Sequence, residues 1–284
     1  MLDVILDTAI DSIKLFPFLL ITYLAMEYLE HRTSAKTRGL VKKSGKFGPL
    51  IGGILGAFPQ CGFSAAASNL YAGRIITLGT LIAIYLSTSD EMLPVFISEK
   101  ADIRLILSII LLKVVIGMIA GFLIDFVMIR RAGIQKIDIH VEEICEHEHC
   151  HCEKSIFKSA LKHTLVIMGY IILISLALNI LIFFIGEDNL GSIILNRPVI
   201  GEMIAALVGL IPNCAASVVI TQLYLQGVMS AGAMMAGLLA GAGVGILVLF
   251  KVNYHIKENL RILGLVYVLG VIGGLLVNIL GILG

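Results

Sequence analysis

The fold turns on Phe58-Pro59-Gln60-Cys61-Gly62-Phe63-Ser64 and its echo Ile211-Pro212-Asn213-Cys214-Ala215-Ala216-Ser217. Each is a short polar, helix-breaking knot inside an apolar run. At an offset of 153, the difference between Pro212 and Pro59, Cys61/Cys214, Ser64/Ser217, Leu70/Leu223 and Tyr71/Tyr224 are also identical. Gln60/Asn213, Ser68/Thr221 and Asn69/Gln222 exchange within chemical type, and Gly48/Gly201, Ile51/Ile204 and Gly56/Gly209 coincide upstream. With only six Pro and five Cys in the chain, a match of both types in register points to an internal duplication.

Working outward, the 284 residues are 58% hydrophobic and 14% charged, with mean hydropathy +0.99. A soluble domain carries about 25% charged residues, enough to cover a water-facing surface. This chain has too few, which makes it an all-α polytopic membrane protein. A net charge of +1 leaves no footprint for nucleic acid. The cysteines do not have the spacing of a secreted disulfide framework. The first apolar run is long and followed by basic residues, as in a retained helix rather than a cleaved leader.

That first span covers about 13–29 and leads into Arg32, Lys36, Arg38, Lys42, Lys43 and Lys46, which place the loop in the cytoplasm. Before Pro59 only about ten apolar residues follow, too few for a helix to cross a core of ~30 Å. Segment 48–72 is therefore either one kinked span or a re-entrant hairpin of two half-helices. The hairpin keeps Arg74, Arg130, Arg131, Lys136, Lys154, Lys158, Lys162, Lys251, Lys257 and Arg261 on the cytoplasmic side, leaving Lys100, Arg104 and Arg197 in outer loops. It obeys the positive-inside bias far better. Spans at about 75–97, 105–129 and 157–185, a second hairpin at 200–225, and spans at 228–250 and 262–281 complete the chain. Each half then holds three spans and one hairpin, ten helical segments in all. An odd number of crossings turns the second half upside down, as in the inverted repeats of secondary transporters. The domains expected are a first membrane repeat (1–130), a cytoplasmic loop (131–156) and a second, inverted repeat (157–284).

Three groups of residues carry candidate chemistry. The knots free backbone carbonyls, which membrane depth tolerates only inside protein or beside a water-filled cavity. Gln60, Cys61, Ser64, Asn213, Cys214 and Ser217 add an amide, a thiol and a hydroxyl at each, either as cation ligands or as bonds to the freed backbone. The span after the first hairpin holds Ser87-Thr88-Ser89-Asp90-Glu91. Two carboxylates there cost about 2.5 kcal/mol or more each at the bilayer centre. They are a candidate site, or else the outer end of a helix. Ser87 shares their helical face, and Pro94 leaves the Asp90 carbonyl free. The matching stretch, Ala240-Gly241-Ala242-Gly243-Val244-Gly245, has no carboxylate but is as able to bend. Lys113 lies at a similar depth in the next span. It either pairs with Asp90 or Glu91, releasing when a cation or proton binds, or snorkels to the interface.

The third group is the loop 140–153, with four His, three Cys and five Glu in fourteen residues. His140, Cys145, His147, His149, Cys150, His151 and Cys152 form a metal-binding tract on composition, suited to Zn, Co, Ni or Cu(I). Their spacing matches no closed zinc module, which favours a fluctuating site for sensing or delivery over a merely solvated linker.

The stretches Gly56–Arg74 and Leu86–Pro94, with Ile211-Pro212-Asn213-Cys214 and the His-rich loop, resemble the ten-transmembrane heavy-metal exporters of bacteria and archaea. Members of that family are labelled arsenic efflux proteins or manganese transporters. The resemblance covers nearly the whole chain and implies metal export across the cell membrane. The expected function is thus secondary-type export of a heavy or transition-metal cation, manganese-like by its carboxylate, amide and hydroxyl ligands, by alternating access. Arsenite efflux through Cys61 and Cys214 is one alternative and a membrane-embedded metal sensor another. No nucleotide-binding loop is present, so coupling would come from an ion gradient or a partner. The expected partners are the metal ion and the bilayer, with a homodimer left open. No cofactor is required beyond metal as substrate or loop ligand. Without a His-Glu-x-x-His motif or a Ser/His pair in the apolar segments, an enzyme is not expected.

Overall fold

A computed structural model describes residues 16–17, 19–21, 23–24, 47–58, 61–89, 92–132, 157, 160–162, 164–170, 172–173, 176, 199–212 and 214–282. Among them are ten delimited helices and no strand. In the first half these are α1 (Gly48–Gly56), α2 (Cys61–Ala72), α3 (Leu78–Ser87), α4 (Met92–Ser98) and α5 (Ile103–Ala132). In the second they are α6 (Ile200–Gly209), α7 (Cys214–Leu225), α8 (Ala231–Ala240), α9 (Val244–Val252) and α10 (Ile256–Leu280). Further helical residues fall within 16–24 and 157–176.

The offset of the sequence repeat recurs in the helix boundaries. α2 and α7 start and end 153 residues apart, as do α3 and α8, and α5 and α10 start 153 apart. The signals behind these boundaries are local. The Thr77 hydroxyl accepts from the Thr80 amide at 3.1 Å to cap α3, and Ser230 accepts from Ala233 at 3.2 Å to cap α8. The turn after α2 bonds the Gly73, Arg74 and Ile75 amides to the Asn69, Tyr71 and Leu70 carbonyls. The turn after α7 repeats this with Gln226, Gly227 and Val228 on Gln222, Tyr224 and Leu223. Both turns need a left-handed residue, and Arg74 (φ 57) fills the slot that Gly227 (φ 74) fills in the second half.

α1 and α3 run side by side in the same direction, because Gly48 lies against Thr80 and Gly56 against Ile84 and Ser87. If α2 continued α1 in line, Ala72 would end roughly 36 Å beyond Gly48. The six residues from there to Leu78, beside Thr80, reach at most about 22 Å. α2 therefore does not continue α1 in line. Glu202 beside Gly232, and Gly209 beside Gly237, place α6 along α8 in the same way.

Four stretches are long and apolar enough to cross a membrane: Leu78–Ser98, Ile103–Arg130, Ala231–Val252 and Ile256–Leu280. They agree within a few residues with four of the expected spans. Two, however, are broken. The expected spans 75–97 and 228–250 each divide, into α3/α4 and α8/α9, so the ten helices seen are not the ten segments expected. The expected spans 13–29 and 157–185 lie only partly within the described residues, and 133–156 lies outside them.

Glycines let the helices of each half meet backbone to backbone, as membrane helices do. A Cβ on Gly117 would stand 2.9 Å from the Ala83 carbonyl oxygen, and one on Gly270 3.0 Å from that of Ala236, again 153 residues on. Among the described residues the larger of two hydrophobic clusters draws on both halves, and so does the smaller. The short second pieces of the broken spans cross over: α9 packs on α2 of the other half, and α4 on α7. Outside, Leu107, Leu111, Val115, Ile119, Leu123 and Phe126 of α5 form an exposed apolar stripe, suited to lipid.

Candidate functional site

The two broken spans face each other. At the end of α3 three hydroxyls turn back onto the last turn, where carbonyls lose their helical donors. Ser87 Oγ donates to the Ala83 and Ile84 carbonyls (2.8 and 3.1 Å), Thr88 Oγ1 to Ile84 (2.8 Å) and Ser89 Oγ to Ser87 (3.0 Å). The backbone leaves the helix at Thr88 (φ −54, ψ 127). In the second half the break falls on Gly241-Ala242-Gly243, and Gly243 adopts φ 55, ψ −143, a conformation essentially reserved for glycine.

Lys113 joins the two breaks. Its side chain is 1% exposed, and Nζ donates to the Thr88 carbonyl and, at 2.8 Å, to that of Leu238 in the last turn of α8. The ammonium therefore stays inside the protein rather than snorkelling to an interface. Beside it lies a cavity of about 30 Å³, the room of one water molecule or bare cation. Thr88, Ser89, Met92, Lys113, Ser217 and Leu238 line it, with Gly209, Gly237, Gly241 and Gly243. Both halves contribute. The chemistry on offer is carbonyl and hydroxyl oxygen beside an ammonium.

Of the residues singled out from sequence, Ser217 lines this cavity. Ser64 is buried against Gly245 of α9, and Ser87 packs on Gly56 with its hydroxyl on its own helix. Cys61 and Cys214 open α2 and α7; their side chains, with Gln60, Asn213, Asp90 and Glu91, lie outside the described residues. Asp90 and Glu91 fall in sequence between Ser89 and Met92, both of which line the cavity. The tract His140, Cys145, His147, His149, Cys150, His151 and Cys152 also lies outside. Among the described residues no three His, Cys, Asp or Glu side chains gather.

Other polar groups were not among the candidate site residues. Ser68 Oγ touches the Ser64 carbonyl, the Tyr85 hydroxyl and the Gly245 carbonyl, each at 2.7 Å, stitching α2 and α3 to α9. Tyr23 donates to Asn69 at 2.9 Å. Arg74 makes a two-pronged bond to Glu258 at 2.6 and 2.8 Å, and the Tyr71 hydroxyl joins it. The Ser68/Thr221 and Asn69/Gln222 pairs of the repeat were the available signal for the first two. For Arg74 it was a basic residue in a slot that favours glycine.

Residues 1–186 and 177–282 match the family described as "Putative, 10TM heavy-metal exporter". The chain belongs to this family. Its apolar helices and lipid-suited stripe fit a multi-pass membrane protein, and the family is one of exporters rather than enzymes. No curated protein and no solved structure matches the chain.

Proposed function

We propose that the chain is a secondary-type exporter that moves a transition-metal cation across the cell membrane by alternating access. One observation carries this: two helix breaks, one from each half, direct carbonyl oxygens at a single buried ammonium beside a small cavity. A position that holds an ammonium among oxygens is a position for a cation. Asp90 and Glu91, next to Ser89 in sequence, would add the charge that a divalent ion requires, and Lys113 would pair with them when the ion is absent. Ser217 and the Gln60/Cys61 and Asn213/Cys214 knots would complete the ligands. Oxygen donors of this kind favour manganese-like ions over softer ones. Arsenite is the second substrate, through the thiols of Cys61 and Cys214. A metal sensor is the second class of function, in which the loop 131–156 would act on its own account rather than deliver or regulate.

Contacts at the ends of α10 support an inverted arrangement with re-entrant hairpins. The turn after the first hairpin, at Arg74, pairs with Glu258 at the start of α10. The start of the second hairpin, at Glu202, meets Asn278 near its end. The twenty residues between span roughly 30 Å, a membrane's thickness. Were 48–72 and 200–225 full spans, Arg74 and Glu258 would lie on opposite faces. The cytoplasmic side would be that of Arg74, Lys251 and the His-rich loop.

Inside-out vesicles loaded from a metal panel under an imposed pH gradient test the function. Wild type should accumulate one or more metals and Asp90→Asn should lose at least tenfold in rate. If no metal moves under any condition, export is wrong. Deleting 140–153 should alter regulation yet leave transport; loss of all function would favour the sensor.

A further inference from the structure

Glu202, in the first turn of α6, is 1% exposed. Its Oε1 accepts from Asn278 Nδ2 of α10 at 3.0 Å. Its Oε2 has no hydrogen-bond partner, the one buried side-chain oxygen or nitrogen so placed among the described residues. A buried carboxylate oxygen without a donor is expensive to keep, and the other half of the molecule shows how it is avoided. Asn278 corresponds at the offset of 153 to Asp125 of α5. There the carboxylate sits on the long helix and both oxygens are satisfied, Oδ2 by the Thr77 hydroxyl (2.7 Å) and Oδ1 by the Gly79 amide (2.9 Å). The second half moves the acid to the neighbouring helix and leaves one oxygen idle.

The surroundings select what could bind. α8 carries no titratable residue along Ala231–Ala240, and its Gly232 leaves the space the acid needs: a Cβ there would stand 3.0 Å from Glu202 Oε1 and 2.9 Å from the Gly274 carbonyl oxygen. On α10 the facing groups are neutral Asn278 and the Tyr267 hydroxyl, which donates to the Met203 carbonyl at 3.4 Å. Lys257, Glu258 and Arg261 sit at the far end of α10, roughly 25 Å or more from Asn278. On α7, Tyr224 packs edge-on against Phe96, with centroids 6.4 Å apart. With no group of three His, Cys, Asp or Glu side chains among the described residues, the place does not suit a divalent ion, which takes six or more oxygens or several anionic ones. A proton needs only the idle oxygen.

We propose that Glu202 Oε2 is the proton-binding position of the exporter, so that the coupling ion is a proton taken up and given back at this carboxylate. The step is a single proton gained or lost, with no other bond made or broken. The coupling is mechanical: Glu202 begins α6 and Gly209, at its other end, lines the cavity. Seven residues, about 10 Å, separate the two. Protonating the acid removes a buried charge and lets the α6–α7 hairpin shift relative to α8 and α10, which changes the cavity that holds the cation.

This rests on the export reading, and the test separates the two. Full-length protein in liposomes is followed by infrared difference spectroscopy through a pH titration, and in parallel by Mn²⁺ flux with an internal pH dye. Wild type should show a carboxylic-acid carbonyl band that comes and goes with pH, lost in Glu202→Gln and kept, shifted, in Glu202→Asp. Glu202→Gln should move Mn²⁺ at a rate indifferent to the imposed pH gradient and without proton movement, whereas wild type should respond several-fold. A band unchanged in Glu202→Gln overturns the proton site. A lost band with an undiminished response of Mn²⁺ flux to pH overturns its coupling role. If Mn²⁺ does not move in wild type, the export reading fails for that ion, while the infrared band still decides the proton site.

Discussion

Lys113 is the residue on which the two halves meet. Its donors satisfy carbonyls that a helix break has stripped of their own amides, and they reach both breaks at once. Lys113→Met keeps the length and apolar stem but leaves the Thr88 and Leu238 carbonyls short of a donor. At about 1–3 kcal/mol per unsatisfied buried group, we expect a clear fall in thermal stability, read by a melting scan in detergent. The variant should also lose most transport and its pH dependence. If transport and its pH profile match wild type, the ammonium plays no part in the cycle. Ser68 makes a smaller case. Ser68→Ala removes the hydroxyl between Tyr85 and Gly245 and should lower stability by about 1–2 kcal/mol.

At the level of helices, the glycines make a sharper prediction than the polar groups. Gly117→Ala and Gly270→Ala each push a methyl against a backbone carbonyl of the neighbouring helix, which cannot swing aside as a side chain can. Each should lower stability by about 1–3 kcal/mol, by equal amounts if the two halves are built alike. Gly264 of α10 has nothing within 4 Å of its missing Cβ. Gly264→Ala should therefore be neutral or stabilise by up to about 1 kcal/mol. Thermal unfolding of the three variants in one detergent checks this, and a harmless Gly117→Ala with a harmful Gly264→Ala would contradict the helix packing. These contacts were hidden in the sequence, because a glycine in an apolar run looks the same whether it faces lipid or a neighbouring backbone. The breaks were half visible. Pro59 and Pro212 announce the interruptions between α1 and α2 and between α6 and α7, since proline lacks an amide. The interruption after Ser87 depends on Ser and Thr hydroxyls bonding back to their own turn, which the same residues do in unbroken helices, and the one after Ala240 on the left-handed backbone of Gly243.

For the molecule as a whole, the inverted arrangement we propose turns on which face each hairpin opens to. Arg74 and Glu258 tie the two halves together at one end of α10, with Asn253 and Asn259 bonded behind them. Arg74→Ala and Glu258→Ala should each destabilise, and the double variant should fall short of their sum by about 1 kcal/mol, as a partly buried ion pair requires. Cysteines placed singly at Ile75 and Gln226, with the native cysteines replaced, should react with a membrane-impermeant thiol reagent from opposite sides. Labelling of both from the same side would end the inverted arrangement.

The sequence by itself determined the class, the duplication and its register. Charge content, the apolar runs and the Pro-x-Cys pair are properties of residue type and spacing, and the helix boundaries followed them to the same offset of 153. It also placed Lys113 near the depth of the Asp90-Glu91 stretch, because depth along a helix is a count of residues. Only the tertiary structure decided that the ammonium of Lys113 is received by carbonyls from both halves, and that Glu202 is left with an idle oxygen where Asp125 has none. The reason is physical: every residue carries a carbonyl, so which of them turns inward is set by where two helices stop and how they cross, and no residue type marks that point.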